Sequence, residues 1–75
     1  MTFEEFKNNW KNKELPCIQR AEIRKGQSLI NLLWDVWPKE YNRIISDNNL
    51  DCFYDDGKID NLLNHLSGSW VKFPN

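Results

Sequence analysis

The chain has 75 residues, of which 40% are hydrophobic and 28% are charged, and its formal net charge is −1. This composition excludes a disordered or fibrous protein and predicts a single globular domain over residues 1–75. The longest stretch without Asp, Glu, Lys or Arg is residues 61–71. It is much shorter than the roughly 20 residues of a membrane-spanning helix, so we expect no membrane span.

The first predicted helix covers residues 2–12. Thr2 and Glu5 have the spacing of a capping box, in which each side chain accepts a hydrogen bond from the backbone amide of the other residue. Aromatic residues follow at spacings of three and four, which gives this helix one narrow apolar stripe: Phe3, Phe6 and Trp10.

The second predicted helix, over residues 23–37, has the strongest pattern. On a helical wheel its apolar residues fill an arc of about 200°: Ile23, Leu29, Ile30, Leu32, Leu33, Trp34, Val36 and Trp37. Such a wide arc is typical of a central helix that several others contact, so we expect Ile30, Leu33 and Trp34 to be almost fully buried. Gly26 lies within the arc, where its missing side chain would let another helix approach closely.

Two further helices follow in the sequence. Pro38 suits the first position of a third helix, which Asn48 and Asn49 are expected to stop. The apolar stripe of this helix is Tyr41, Ile44 and Ile45. Asp55 or Asp56 is expected to cap a fourth helix, whose apolar residues have the spacing i, i+3, i+4 and i+7: Ile59, Leu62, Leu63 and Leu66.

The carboxyl-terminal residues complete the predicted fold. Gly68 is expected to stop the fourth helix, after which Trp70 and Phe73 fold back onto the core. No segment alternates with a period of two residues for long enough to predict a strand. The sequence therefore predicts a small all-α domain, in which four helices surround a central and widely apolar second helix.

Residues 51–57 connect the third and fourth helices and are rich in turn-forming side chains. We expect Phe53 to enter the core, because a buried ring would anchor the segment. We expect Asp51 to accept hydrogen bonds from backbone amides or from Arg24.

The sequence shows no recognisable catalytic or metal-binding pattern. A calcium loop that starts at Asp47 would place Lys58 where the motif requires a bidentate Glu. The one histidine, His65, is expected to be exposed on the polar side of the fourth helix. We therefore predict that the chain is not an enzyme and needs no metal or other cofactor.

Two cysteines, Cys17 and Cys52, lack the spacing of metal ligands. We interpret them as small hydrophobic residues rather than nucleophiles, and as reduced thiols of a cytoplasmic protein. The sequence leaves a disulfide between them open.

The charges are unevenly distributed. The basic segment Lys7–Lys25 has six bases and two acids, and the acidic segment Asp47–Asp60 has five acids and one base. The two segments either neutralise each other or present a charged surface to a partner. Nucleic acid is one candidate partner, since Arg20 and Arg24 lie one turn apart beside Lys25 and Trp10 could provide a stacking face. The low pI of about 5.7 argues against it.

The chain resembles a group of short proteins from tailed phages and prophages. The resemblance lies in Arg24–Asn31 (RKGQSLIN), then Pro38, then Asp51–Asp56 (DCFYDD) and a closing Trp70. The pattern of that group is Arg-x-Gly-Gln with an Asn four residues after the Gln, and then an Asp-x-Phe-Tyr or Asp-x-Phe-Trp turn. The resemblance implies a phage or prophage setting and no particular reaction.

The motif has two interpretations. In the architectural one, Gln27 and Asn31 lie one turn apart beside Arg24 and hold the turn Asp51–Asp56 by hydrogen bonds. In the functional one, the motif forms a patch that recognises a partner, and its residues are Arg24, Gln27, Asn31, Asp51, Tyr54 and Asp55.

By elimination and by this setting, we predict a phage-encoded accessory protein of the host cytoplasm. It would bind and modulate a host or phage protein, for example by inhibiting a host enzyme or defence factor, without catalysis of its own. The alternative is a small nucleic-acid-binding regulator that uses the basic segment Lys7–Lys25.

Overall fold

The computed structural model describes residues 1–14, 16 and 23–73, which leaves Cys17 and Arg20 outside the described residues. The described part contains four α-helices: α1 (Phe3–Asn9), α2 (Lys25–Val36), α3 (Pro38–Ile44) and α4 (Ile59–Ser69). A π-helical segment, Trp10–Glu14, continues α1, and short 3₁₀ helices cover Asp56–Lys58 and Trp70–Lys72. No strand occurs among these residues, and the predicted all-α fold is confirmed.

The start of α1 has the predicted capping box. The backbone amide of Glu5 donates to Thr2 Oγ1 at 3.1 Å, and the amide of Thr2 donates to Glu5 Oε1 at 3.0 Å. The hydrogen bond from the Thr2 amide lowers the pKa of the Glu5 carboxyl below its usual value, because it favours the charged form. Phe6 of α1 and the following Trp10 are buried, while Phe3 packs at the edge of the core.

Helix α2 is central, but its apolar arc is only partly covered. Ile30 and Leu33 are buried as predicted, with exposures of 1% and 0%. The prediction for Trp34 was wrong, since 51% of this residue is exposed. Helix α3 begins after a single intervening residue, and its Tyr41 contacts one edge of the Trp34 ring. A chain of 75 residues has too few helices to cover both flanks of an apolar arc that is about 200° wide.

The carboxyl-terminal segment closes the core as predicted. Trp70 is buried, and its ring lies 4.9 Å from the ring of Phe6 and 5.2 Å from the ring of Trp37, centroid to centroid. Its indole Nε1 donates a hydrogen bond to the carbonyl oxygen of Met1 at 3.0 Å. Trp70 therefore ties the end of α4 to the start of α1 and to the junction of α2 and α3.

Two helix ends differ from the predictions. Helix α3 ends at Ile44, before Asn48 and Asn49, and Ile45 is largely exposed. Helix α4 passes through Gly68 and ends at Ser69. The buried ring of Trp70 explains the second difference, because the chain stays helical until that residue has reached the core.

The start of α2 is joined to the turn Asp51–Asp56 at Gly26. The amide of Gly26 donates to Asp56 Oδ1 at 2.9 Å, and the thiol of Cys52 donates to the carbonyl oxygen of Gly26 at 3.4 Å. A Cβ atom at position 26 would lie 2.0 Å from the carbonyl oxygen of Cys52. The predicted close approach at Gly26 is therefore present, but the approaching element is the turn and not another helix.

We expect a methyl group at Gly26 and one at Gly68 to have opposite effects on stability. Gly26→Ala should lower the free energy of unfolding by at least about 2 kcal/mol, because the backbone of Cys52 would have to move. Gly68→Ala should raise it by about 0.5–1 kcal/mol, because Gly68 is helical and, apart from its neighbours in the helix, no atom lies within 4 Å of the added Cβ. Urea denaturation of both variants measures the difference, and equal effects would contradict the contact at Gly26.

Candidate functional site

The turn Asp51–Asp56 is held by its own acidic side chains. Asp51 Oδ1 accepts a hydrogen bond from the amide of Phe53 at 3.0 Å, which confirms the prediction that Asp51 binds a backbone amide. Asp55 Oδ1 accepts one from the amide of Gly57 at 2.9 Å and caps the 3₁₀ helix that leads into α4. These two carboxylates therefore fix the backbone of the turn.

Cys52, and not Phe53, is the residue by which the turn enters the core. Cys52 is fully buried, whereas Phe53 is half-buried and packs at the edge of the core. The contact at Gly26 explains this correction. It brings the backbone of Cys52 so close to α2 that a small side chain fills the remaining space.

Arg24 and Tyr54 are the two predicted site residues that the structure brings together on the surface. Tyr54 is 77% exposed, and the guanidinium carbon of Arg24 lies 5.8 Å from the centroid of its ring. The ring of Phe53 contacts Tyr54 edge to face, with a centroid distance of 4.8 Å. A cation over one part of the ring and an aromatic edge beside it restrain Tyr54 while most of its surface remains in solvent.

Gln27 and Asn31 do not hold the turn, so the architectural interpretation of these two residues was wrong. Gln27 is half-buried and Asn31 is exposed, and neither side chain hydrogen-bonds to any residue of the turn, all of which the structure describes. The backbone of Gly26 makes these bonds instead. An amide in the first turn of a helix has no partner within the helix, and it therefore donates to the Asp56 carboxylate.

The two charged segments are not neutralised by ion pairs between their described residues. Lys7 pairs with Glu4 at 3.4 Å within α1, and Lys58 Nζ donates to the carbonyl oxygen of Asn48 at 2.5 Å. The described charged residue that contacts the other segment is Arg24, whose guanidinium lies over the ring of Tyr54 and not beside a carboxylate.

Trp10 is unavailable as a stacking platform for nucleic acid. It is buried in the core, and its indole Nε1 donates to Ser28 Oγ at 2.8 Å. The Ser28 hydroxyl in turn donates to the carbonyl oxygen of Lys25 at 2.6 Å, so both polar groups are satisfied inside the protein. The contribution of Trp10 to the nucleic-acid alternative is therefore explained by packing between α2 and the segment that follows α1.

A buried carboxylate between α3 and α4 was missed in the sequence. Glu40 is 2% exposed, and its Oε2 lies 2.9 Å from His65 Nε2, while Arg43 approaches Oε1 at 3.4 Å. The prediction that His65 is exposed was wrong, because it is partly buried against Glu40. A signal was present: Glu40 lies one turn before Ile44 and so shares its core-facing side.

The arrangement around His65 does not match a nucleophilic relay. Ser69 Oγ lies 3.2 Å from His65 Nε2, the same nitrogen that contacts Glu40. A Ser-His-acid relay requires the acid and the hydroxyl to bind different nitrogens of the imidazole. The described residues also contain no group of three or more His, Cys, Asp or Glu side chains that could hold a metal ion. Glu40 and His65 therefore form a link between two helices.

The buried thiol of Cys52 is protonated at neutral pH. Burial raises its pKa to about 12, because the charged thiolate would lose its hydration. This agrees with the interpretation of Cys52 as a small hydrophobic residue rather than a nucleophile.

Comparison of the chain with protein-family models, with curated proteins and with solved structures gave no match. Among the described residues, none of the helices has the length and apolar character needed to cross a membrane.

We expect Cys52 to resist alkylation while the protein is folded. In a Cys17→Ser background, iodoacetamide at mildly alkaline pH should modify Cys52 only after unfolding in urea, as mass spectrometry would show. The pKa of an unfolded thiol is about 8.5, whereas burial raises the pKa of the Cys52 thiol to about 12. The stabilising contribution of Cys52 should thus be complete below about pH 8.5 and be lost as the pH rises toward 12. Rapid alkylation of the native protein would contradict the buried position.

We expect the role of Glu40 to depend on its volume more than on its charge. Glu40→Ala should lower the free energy of unfolding by about 2–4 kcal/mol, because it leaves a cavity and removes the partner of His65. Glu40→Leu fills the same space, and His65 is exposed enough to be hydrated, so its cost should stay within about 1 kcal/mol. If urea denaturation gives the same large loss for both variants, the carboxylate itself is required.

Proposed function

We propose that the chain is a small, non-catalytic accessory protein, encoded by a tailed phage or prophage, that binds and modulates a host or phage protein in the host cytoplasm. The observation that carries this proposal is the display of Tyr54. The phage setting is supported by the motif residues of Arg24–Asn31 and Asp51–Asp56.

Tyr54 has the properties of a contact residue in a protein interface. It is 77% exposed, although its neighbours Cys52 and Phe53 are buried and half-buried. Tyrosine is enriched at the centres of interfaces because its ring offers a large apolar area and its hydroxyl offers a hydrogen bond. An aromatic ring in this position contributes little to the fold and much to a surface that a partner would cover.

The frame around Tyr54 favours binding because it is already ordered. The Asp51 and Asp55 carboxylates bond the turn internally, and Asp56 bonds it to Gly26. Binding of a partner over Tyr54 would therefore cost little free energy for the ordering of this loop. Arg24 beside the ring adds a positive charge, which can pair with an acidic group of the partner or donate a hydrogen bond to it.

The absence of catalysis in this proposal is supported by the chemistry of the reactive side chains. The Cys52 thiol is buried and protonated, and His65 contacts Glu40 and Ser69 through one nitrogen. The alternative, a nucleic-acid-binding regulator, is less well supported because the ring of Trp10 is inside the core.

Three variants distinguish the effect of Tyr54 on partner binding from the effect of the turn on stability. Tyr54→Ala should weaken partner binding by about 2 kcal/mol or more, roughly 30-fold, and change the melting temperature by less than about 4 °C. Asp51→Ala should lower the melting temperature by about 4–8 °C, because a hydrogen bond of about 1 kcal/mol that fixes the turn is lost. Val71→Ala is the matched control, since Val71 is an 86% exposed apolar residue outside the turn.

The binding measurement begins with capture from a bacterial lysate on the immobilised protein. The partner is the protein that the wild type and Val71→Ala retain and Tyr54→Ala does not, and titration calorimetry with the purified partner then gives the affinities. Equal binding by wild type and Tyr54→Ala would contradict the proposal. A gel shift of DNA or RNA at low salt that disappears by about 0.3 M salt would support the nucleic-acid alternative instead.

A further inference from the structure

A second exposed apolar surface lies where α2 meets α3. We call it the Trp34 face, and it consists of Trp34, Tyr41 and Ile45. Trp34 is 51% exposed and Ile45 is 40% exposed. The rings of Trp34 and Tyr41 meet edge to face at a centroid distance of 4.9 Å, and Ile45 follows Tyr41 by one helical turn. The three side chains therefore form one continuous patch.

The Trp34 face is flanked in the sequence by two acidic residues, and the described bases of α3 lie on the other side of that helix. Asp35 follows Trp34, and Asp47 lies two residues after Ile45; both are exposed, and neither forms an ion pair with a described base. Lys39 and Arg43 lie two residues before and after Tyr41, which places them on the opposite side of α3. Arg43 pairs there with Glu40. The face is thus apolar at its centre and negatively charged at its rim.

The size of the Trp34 face limits what can cover it. A complete Trp surface is roughly 250 Å², so the exposed half of Trp34 contributes about 130 Å², and the whole face offers on the order of 250 Å². A stable dimer needs about 800 Å² from each partner. The face is too small for a second copy of the chain, and its area suits one or two apolar side chains of a helix or peptide.

We propose that the Trp34 face binds a short apolar segment of a partner protein that carries Lys or Arg beside its apolar residues. This inference rests on the proposed function, because it assumes that the chain binds a protein. Arg24, Asn31 and Trp34 lie along one side of α2 over a length of roughly 15 Å. One partner segment of this length can touch both the Trp34 face and Tyr54, with Asn31 between them.

The charge of the partner segment is tested with two designed peptides. Both are helix-forming and carry the same stripe of Leu; one has Lys and the other has Glu at the remaining positions. Titration calorimetry at physiological ionic strength should detect binding of the Leu/Lys peptide and none of the Leu/Glu peptide. Bound peptide should also shift the fluorescence emission to shorter wavelength, because Trp34 is exposed whereas Trp10, Trp37 and Trp70 are buried.

Matched variants locate the binding site. Trp34→Ala should weaken the binding of the Leu/Lys peptide at least tenfold at a temperature at which circular dichroism shows that the variant is folded. Asp47→Asn should weaken it by about threefold and reduce its salt dependence. Two controls should bind as the wild type does: Val71→Ala removes an exposed apolar group elsewhere, and Asp60→Asn removes an exposed charge on α4.

Other results would overturn this inference. The Trp34 face is not the site if Trp34→Ala binds the Leu/Lys peptide as the wild type does, if both peptides bind equally, or if neither binds. Dimer formation in sedimentation equilibrium that Trp34→Ala abolishes would make a second copy the occupant. Capture of a partner that depends on Tyr54, together with failure of the peptide to bind, would overturn only the Trp34 face. Failure of both experiments would overturn the proposed function as well.

Discussion

The close approach of Cys52 to Gly26 is the contact on which the rest of the structure depends. No side chain fits at position 26, because the carbonyl oxygen of Cys52 occupies the place of a Cβ atom. Two hydrogen bonds, one from the Gly26 amide to Asp56 and one from the Cys52 thiol, close the contact from both sides. This arrangement fixes the turn on the start of α2. It also fixes where α4 begins, because the 3₁₀ helix that leads into α4 starts at Asp56.

The same contact divides the motif into a frame and a displayed surface. The Asp51 and Asp55 carboxylates accept hydrogen bonds from backbone amides beside them, and these bonds maintain the turn. Arg24 and Tyr54 lie on the outer side, where the ring remains mostly in solvent. The architectural interpretation therefore applies to Asp51 and Asp55, and our proposal assigns the functional one to Arg24 and Tyr54. In our proposal, the rigidity of the frame is the reason why the displayed ring can bind with little loss of entropy.

The aromatic residues show how a small chain distributes its apolar surface. Trp70 connects the end of α4 to α1 and to the junction of α2 and α3, because it lies among Phe3, Phe6 and Trp37. Trp34 lies on a flank of α2 where the ring of Tyr41 borders it, and half of Trp34 stays in contact with water. A partner that buried the exposed half of Trp34 would gain hydrophobic free energy that folding alone does not provide. This gain is the physical basis for the second contact surface that we propose.

The sequence by itself determined the features that depend on neighbouring residues. The capping box of Thr2 and Glu5, the start of α3 at Pro38 and the burial of Leu33 follow from spacing and backbone chemistry within one helix. The tertiary structure alone decided which flank of α2 stays open at Trp34 and which residue of the turn enters the core. It also decided that Glu40 meets His65 and that the backbone of Gly26, rather than Gln27, holds the turn. These outcomes depend on which elements approach each other and how closely, and the periodicity of a single helix carries no information about the distance to its neighbours.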